Sequence, residues 1–444
     1  ALVPIQFKSD APWKEATPSD TLAKGHWWEI YNDPVLNQLE EQAAEASQSL
    51  QAAYARMSQV QASLGVRRAD LLPRLDLNAN FERQRVAEDL SITGSSYIGN
   101  QLSLPLLLGY EVDLWGRVKR SVEAAEADAE GAVADYQNLL LSLQAKLARN
   151  YFSLRSVDSE IALLEQTLKL RIETRDLVKS RFENGLVGQL DLARAESELA
   201  STEAEAIALE KQRGELENAI AVLIGLPPSN FSIATAPLNH GPPPVAAGLP
   251  SELLERRPDI AMAERQMAAA AARIGVAKTA FFPAISLTGN TGFGSNEVES
   301  LFNWNNRTWG LGPAVSLPIF DYGRNSANLV KSRAAYDEAI ANYRQQVLVA
   351  FQEVENGLNG LEVLDRQGRA LQKAVNTAKQ ALGLSEKRYR AGAVSYQEVV
   401  DTQRTALQAE RALVQLRGQQ MDSSVALVKA LGGGWKAERS VEGT

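Results

Sequence analysis

Apolar residues recur along this chain with two distinct periods. Over Val133, Tyr136, Leu140, Leu143, Leu147, Tyr151 and Leu154 they step by three and four, which predicts a helix with one apolar seam. Gln, Glu, Lys, Arg and many Ala fill the positions between; alanine favours helix and leaves room for neighbouring helices to approach. Elsewhere the period falls to two. Across Arg74–Glu82, Leu75, Leu77, Ala79 and Phe81 alternate with Asp76, Asn78, Asn80 and Glu82, the pattern of a strand with one apolar face. Leu104, Leu106, Leu108, Tyr110 and Val112 alternate with Ser103, Gly109, Glu111 and Asp113. The alternation returns over Ile285–Asn290 and again at Trp309, Leu311, Val315, Leu317 and Ile319. Four strands are therefore predicted, with polar, glycine-containing loops over 88–100 and 294–306.

The helical stretches are unusually long. No proline occurs between Pro105 and Pro227, nor after Pro318, so nothing there interrupts the backbone hydrogen-bond ladder. A single helix over Val118–Phe182 would extend ~100 Å, longer than any globular core, and must pack against others of its own length. Breaks are expected at Arg181-Phe182-Glu183-Asn184-Gly185 and at Arg388-Tyr389-Arg390-Ala391-Gly392, where a basic last turn ends on a glycine. Helical patterning resumes at Asp191 and Glu398, giving two tight helical hairpins whose turns are centred on Gly185 and Gly392.

These features occur twice. An offset of 207 pairs Trp115-Gly116-Arg117 with Tyr322-Gly323-Arg324, Tyr136 with Tyr343, Arg181 with Arg388, Gly185 with Gly392 and Gly225 with Gly432. An offset of 210 pairs Leu71-Leu72-Pro73 with Phe281-Phe282-Pro283. The expected organisation is an N-terminal strap (1–34), a first repeat of helix, two strands and long hairpin (35–226), a proline-rich linker (227–250), a second repeat (251–435) and a flexible tail (436–444).

Composition narrows the function. A net charge of −8 argues against nucleic acid, whose phosphates need a surplus of Lys and Arg. With no cysteine and only His26 and His240, far apart, neither thiol chemistry nor an imidazole metal site is expected, and no cofactor is called for. No phosphate loop or paired nucleophile and base points to an enzyme. No run of 18 apolar residues exists, so the choice lies between a soluble sheet and a membrane barrel of strands. Patterning alone favours the soluble sheet; strand number favours the barrel. Four strands of about ten residues match membrane-spanning length, but a closed barrel needs about eight or more, and open edges cannot face lipid. A cyclic trimer would supply twelve strands, its hairpins forming a helical barrel beneath.

Several motifs carry a family resemblance: Trp27-Trp28-Glu29-Ile30-Tyr31-Asn32-Asp33-Pro34-Val35-Leu36 before the first helix, Tyr110-Glu111-Val112-Asp113-Leu114-Trp115-Gly116-Arg117, Glu255-Arg256-Arg257-Pro258-Asp259-Ile260, and the ending Lys429-Ala430-Leu431-Gly432-Gly433-Gly434-Trp435. With these, nearly the whole chain resembles the outer-membrane efflux proteins of the TolC family, closest to the OprM-like (NodT-type) lipoprotein branch. The resemblance implies a mixed fold, an α-helical coiled-coil barrel through the periplasm joined to a twelve-stranded trimeric β-barrel in outer-membrane lipid. It implies a homotrimer working with a periplasmic adaptor (membrane fusion) protein and an inner-membrane pump of the resistance-nodulation-division type in multidrug efflux. The linker would lie in or near an equatorial belt. Branch members often carry lipid on an N-terminal cysteine, which here is expected ahead of Ala1.

The closable end of such a duct is expected at the hairpin tips. Asp191, Glu398 and Asp401 follow the turns, and a threefold axis would make each a ring of carboxylates, whose mutual repulsion must be offset on closure. Arg404, one turn beyond Asp401, is expected to supply that charge. By resemblance, Asp191 falls on a tip aspartate that ties neighbouring helices, Asp401-Thr402-Gln403-Arg404 on the periplasmic constriction, and Tyr389 on a tip tyrosine with either a packing or a gating role. The sequence departs from the family at Gln397, where the branch's closure is apolar, and at Val394, where TolC has a gate arginine. A soluble periplasmic coiled-coil scaffold and a type I protein-secretion channel are the competing readings.

Overall fold

The computed structural model describes residues 25–92, 94–243 and 256–433; most of the expected strap, the end of the linker, Glu255, Gly434, Trp435 and the tail lie outside them. In chain order the elements are α1 (Pro34–Ala46), α2 (Gln48–Ala69), β1 (Arg74–Leu77), β2 (Asn80–Val86), β3 (Tyr97–Glu111), α3 (Arg117–Glu183) and α4 (Gln189–Leu223). Then follow α5 (Pro258–Thr279), β4 (Ala284–Ser295), β5 (Arg307–Ser316), α6 (Arg324–Arg390) and α7 (Tyr396–Ala430). The pairs α2/α5, α3/α6 and α4/α7 have 22, 67 and 35 residues in each member. The helix expected over Val118–Phe182 thus runs Arg117–Glu183. By compactness the chain forms two units, one of 55–134 and 261–345, the other of 1–54, 135–260 and 346–444. Each takes segments from both expected repeats.

The first unit contains an antiparallel sheet ordered β1–β3–β4–β5, with β2 also on β3. Where four strands were expected there are five, because the 74–82 segment is interrupted. The register explains the break: Leu77 faces Leu106 and Asn80 faces Ser103, which sets Asn78 opposite Pro105. Asn78 N–H donates to the Pro105 carbonyl at 3.0 Å, but proline has no N–H to return. One strand position is therefore split without a change of register. On its other side Pro105 faces Gly292. A Cβ there would lie 2.2 Å from the Leu104 carbonyl oxygen and 2.7 Å from Pro105 Cα, so glycine is needed for the strands to meet. β3 also begins earlier than expected, taking Tyr97–Asn100 from the predicted loop, and β5 ends at Ser316, before Pro318.

Alternation along this register sorts the sheet into two faces. Leu75, Leu77, Phe81, Leu102, Leu104, Leu106, Leu108, Leu287, Phe293, Trp309, Leu311 and Val315 share one. Asp76, Asn80, Glu82, Gln101, Ser103, Ser286, Thr288 and Asn290 share the other, with Leu107 its chief apolar member. The apolar face is uncovered: Leu75 is 62% exposed, Phe81 62%, Leu311 67% and Trp309 78%. β1/β2 and β5 are edges whose outer sides have no partner strand among the described residues. No described helix is long and apolar enough to cross a membrane. Both long helices leave the sheet through an aspartate: Asp113 accepts from the Val118 and Lys119 N–H groups at 3.0 and 2.8 Å, and Asp321 from Gly323 and Asn325 at 2.9 Å each. These satisfy donors that a helix start leaves orphaned.

The second unit is helical. Leu147, Tyr151, Phe152 and Leu154 of α3 pack with Leu36, Leu39 and Ala43 of α1, Ile220 of α4, Val425 and Val428 of α7, and the buried Trp27, Trp28 and Tyr31. The lower half of the predicted seam is thus core, while Val133 at its start is 40% exposed. Asp33 caps α1 by accepting from Val35 and Leu36 and receives the Tyr151 hydroxyl at 2.6 Å. The chain after α4 is tied down by charge: Arg155 donates to the Ala234 carbonyl and Arg213 to that of Ile233, each at 2.6 Å, and Ala236 N–H donates to the buried Asp158 at 3.0 Å. Glu40 of α1 is fully buried, with neither carboxylate oxygen hydrogen-bonded. Burial holds its pKa well above the ordinary carboxylate range.

Candidate gate at the hairpin turns

Both turns close by the same hydrogen bonds. After α3, Gly185 N–H donates to the Phe182 carbonyl at 2.9 Å and Leu186 N–H to that of Arg181 at 2.8 Å. After α6, Gly392 N–H reaches Tyr389 at 2.9 Å and Ala393 N–H reaches Arg388 at 2.9 Å. Gly185 and Gly392 have φ of 71° and 74°, left-handed values that this glycine-closed helix end requires.

An apolar cluster locks the turns together: Val178 of α3, Ala195 of α4, Tyr389 of α6, and Tyr396, Val399 and Val400 of α7 are buried, with Val187, Leu192 and Val394 against them. Val394, which departs from the family's gate arginine, is thus packing material. Tyr389 and Tyr396 have ring centroids 5.6 Å apart. Arg181 lies over the Tyr389 ring at 4.6 Å and donates to the Tyr389 and Arg390 carbonyls at 3.2 and 3.1 Å, a cation at the helix end that carries partial negative charge. The Tyr389 hydroxyl is buried without a hydrogen-bond partner, so its ring packs while its polar atom does nothing for the tip. Burial, then the nearby Glu198 charge, pushes the Tyr396 phenol up to about 12.

The predicted carboxylates have separate partners. Asp191, in the first turn of α4, is nearest Arg194 of its own helix at 3.8 Å. Glu398 faces Arg388 at 3.4 Å. Asp401 accepts from Gln397 Nε2 at 3.0 and 3.2 Å, so the polar residue at the expected apolar plug orients this carboxylate.

Arg404 differs from the expectation. Its guanidinium is taken by Glu198 of α4, with Nε at 2.9 Å from Oε1 and Nη2 on the same oxygen. Glu198 also meets Arg171 of α3, Nη1 to Oε2 at 2.8 Å. The Glu198 and Arg171 side chains are 10% and 6% exposed, that of Arg404 61%. One buried carboxylate thus joins α3, α4 and α7. Two turns on the arrangement is inverted: one guanidinium, Arg411, donates to Glu160 of α3 at 2.7 Å and Glu205 of α4 at 2.6 Å. Spacing along α7 gave no sign of Glu198 or Arg171; the one available signal was the 3.6-residue phase of α4, which sets Glu198 two turns past Asp191 on the same face.

A strand sheet joined to paired long helical hairpins defines a class of outer-membrane channel. The structure superposes on the outer-membrane channel OprN with a TM-score of 0.88 at 30% identity, covering 98% of each chain. It superposes on the open state of the Neisseria gonorrhoeae channel MtrE with 0.82 at 32% identity, again over 98% of each. In sequence it is 35% identical over 427 residues to the pyoverdine export outer membrane protein OpmQ of Pseudomonas aeruginosa, spanning 95% of this chain and 90% of that one. It is 34% identical to outer membrane protein OprJ of the same species, over 99% of this chain and 92% of that one. The family model described as outer membrane efflux protein matches residues 39–226 and 249–433. The chain belongs to the outer membrane efflux protein family, whose members are transporters of the outer membrane and not enzymes.

Proposed function

We propose that three copies join their free strand edges into a twelve-stranded barrel, and that the chain is the passive outer-membrane exit duct of a tripartite efflux system. The observation that carries this is the sheet: one face apolar and exposed, the other polar, both edges open among the described residues. Placed around a threefold axis, β5 of one copy pairs with β1/β2 of the next, so no edge remains. Lipid then covers the apolar face and water the polar one. The two repeats, 35–226 and 251–435, contribute two strand positions and one hairpin each, and the linker at 227–250 joins them. Small molecules such as drugs would enter from an inner-membrane resistance-nodulation-division pump through a periplasmic adaptor. Asp191, Glu398, Asp401 and Arg404 form the gate, with Gly185, Gly392 and Tyr389 shaping its turns.

The test is the mass of the purified protein in mild detergent, corrected for bound detergent. A particle of three times 48.3 kDa that precipitates when detergent is withdrawn is expected. A monomer stable without detergent would make the sheet a soluble cover and this reading wrong.

A further inference from the structure

The apolar face of the sheet changes character toward one end. Helices enter and leave at one end of the strands, and the β2–β3 and β4–β5 connections close the other. Resting on the barrel reading, that second end is the outer one. Three arginines share the apolar face there: Arg83 and Arg85 close β2, in line with Phe81, and Arg307 opens β5, in line with Trp309. No strand residue on this face is a carboxylate; Asp76, Glu82 and Glu111 alternate onto the other. Among the described residues Arg83, Arg85 and Arg307 have no carboxylate partner, and all three are exposed. Arg307 Cζ lies over the Trp304 ring, 4.5 Å from its centroid, and its guanidinium donates to the Trp304 carbonyl at 3.1 Å.

Such charges are costly against hydrocarbon and tolerable near the interface, where aromatic girdles sit. Among the described residues of one copy, the acidic side chains of the two connections, Glu88, Asp89, Glu297 and Glu299, form no ion pair with them. An anion from outside the chain, at the height where apolar surface ends, would therefore offset them. The strand order adds a second constraint. β2 and β5 are opposite edges of the sheet, so ring closure brings Arg307 of one copy to the seam that holds Arg83 and Arg85 of the next. We propose that each of the three outer seams is a binding site for the phosphate groups of lipid A in the outer leaflet, with Arg83, Arg85 and Arg307 as the phosphate ligands. Guanidinium groups suit this role because they pair with phosphate through parallel N–H donors.

The experiment is native mass spectrometry of the full chain, released from detergent after incubation with diphosphoryl lipid A, phosphatidylglycerol or phosphatidylethanolamine. Wild-type trimers should retain lipid A in preference to both phospholipids. The R83Q/R85Q/R307Q variant should retain it about tenfold less well, R83K/R85K/R307K should recover most of the binding, and K331Q/R333Q, on α6, should behave as wild type. Trimers of the glutamine variant that keep lipid A undiminished overturn this inference alone, as does equal retention of phosphatidylglycerol. A monomeric particle overturns the barrel reading and this one with it.

Discussion

Glu198 does at the residue scale what its neighbours in sequence could not announce. With a side chain 10% exposed and between Arg171 and Arg404, its removal leaves the buried Arg171 with only the backbone carbonyl of residue 198 and no carboxylate, a loss of about 3–5 kcal/mol. Arg404→Ala removes a mostly exposed partner and should cost only about 0–1 kcal/mol. Glu198→Ala should therefore lower thermal stability sharply, Arg404→Ala little, yet both should raise single-channel conductance by freeing α7 from α4. Asp401→Ala should do the same by releasing Gln397; unchanged currents in all three would remove these residues from the gate. Glu40 offers a pH test. Its folded pKa is raised above the ordinary 4.5, so the stability tied to its proton is complete below about 4.5 and is lost as pH rises toward the folded value. Glu40→Gln should gain in denaturation temperature over wild type on going from pH 4 to pH 7, and a constant difference would refute it. Asp401 and Glu398 were legible in sequence because they follow a glycine turn; the partner of Arg404 was not, because it lies 206 residues away and depends on helix phase and packing.

Elements were more open to reading than their partners. The basic last turns and the glycines at 185 and 392 mark the C-terminal ends of α3 and α6 to within two residues, while the proline-free stretches only permit helices of that length. Each signal is local and each has a steric cause. The interruption at Asn78 was hidden because it comes from Pro105, across the ladder, and the alternation of Arg74–Glu82 passes through it unbroken. The same proline makes Gly292 a sensitive position. Gly292→Ala drives a methyl group into the β3 backbone, so it should cost at least about 1–3 kcal/mol and part β3 from β4. The check is heat resistance of the trimer on unboiled gels, where the variant should dissociate at lower temperature; Gly312→Ala, with open space at its Cβ, should behave as wild type.

For the whole molecule, a net charge of −8 per chain and carboxylates at the turns of every copy predict a cation-preferring pore. In a salt gradient across a planar bilayer, Glu398→Gln with Asp401→Asn should move the reversal potential toward zero, and an unmoved potential would place selectivity elsewhere. The mixed class of long paired helices and strands could be read from the chain because period-two alternation and a proline-free stretch that folds as a helix of 67 residues are both local signals. How the two compact units divide the chain could not, since each unit draws on both repeats and no linker composition marks the crossing points.

The two open strand edges also have a kinetic meaning. Each hairpin draws its contacts from neighbouring helices and can form early, while in the proposed barrel the sheet gains its last pairings only from other chains. On that proposal a newly made copy carries an apolar, edge-exposed sheet until two others arrive. Its lifetime in that state falls as copies accumulate, so scarcity, as much as mutation, exposes it to proteases and to mispairing.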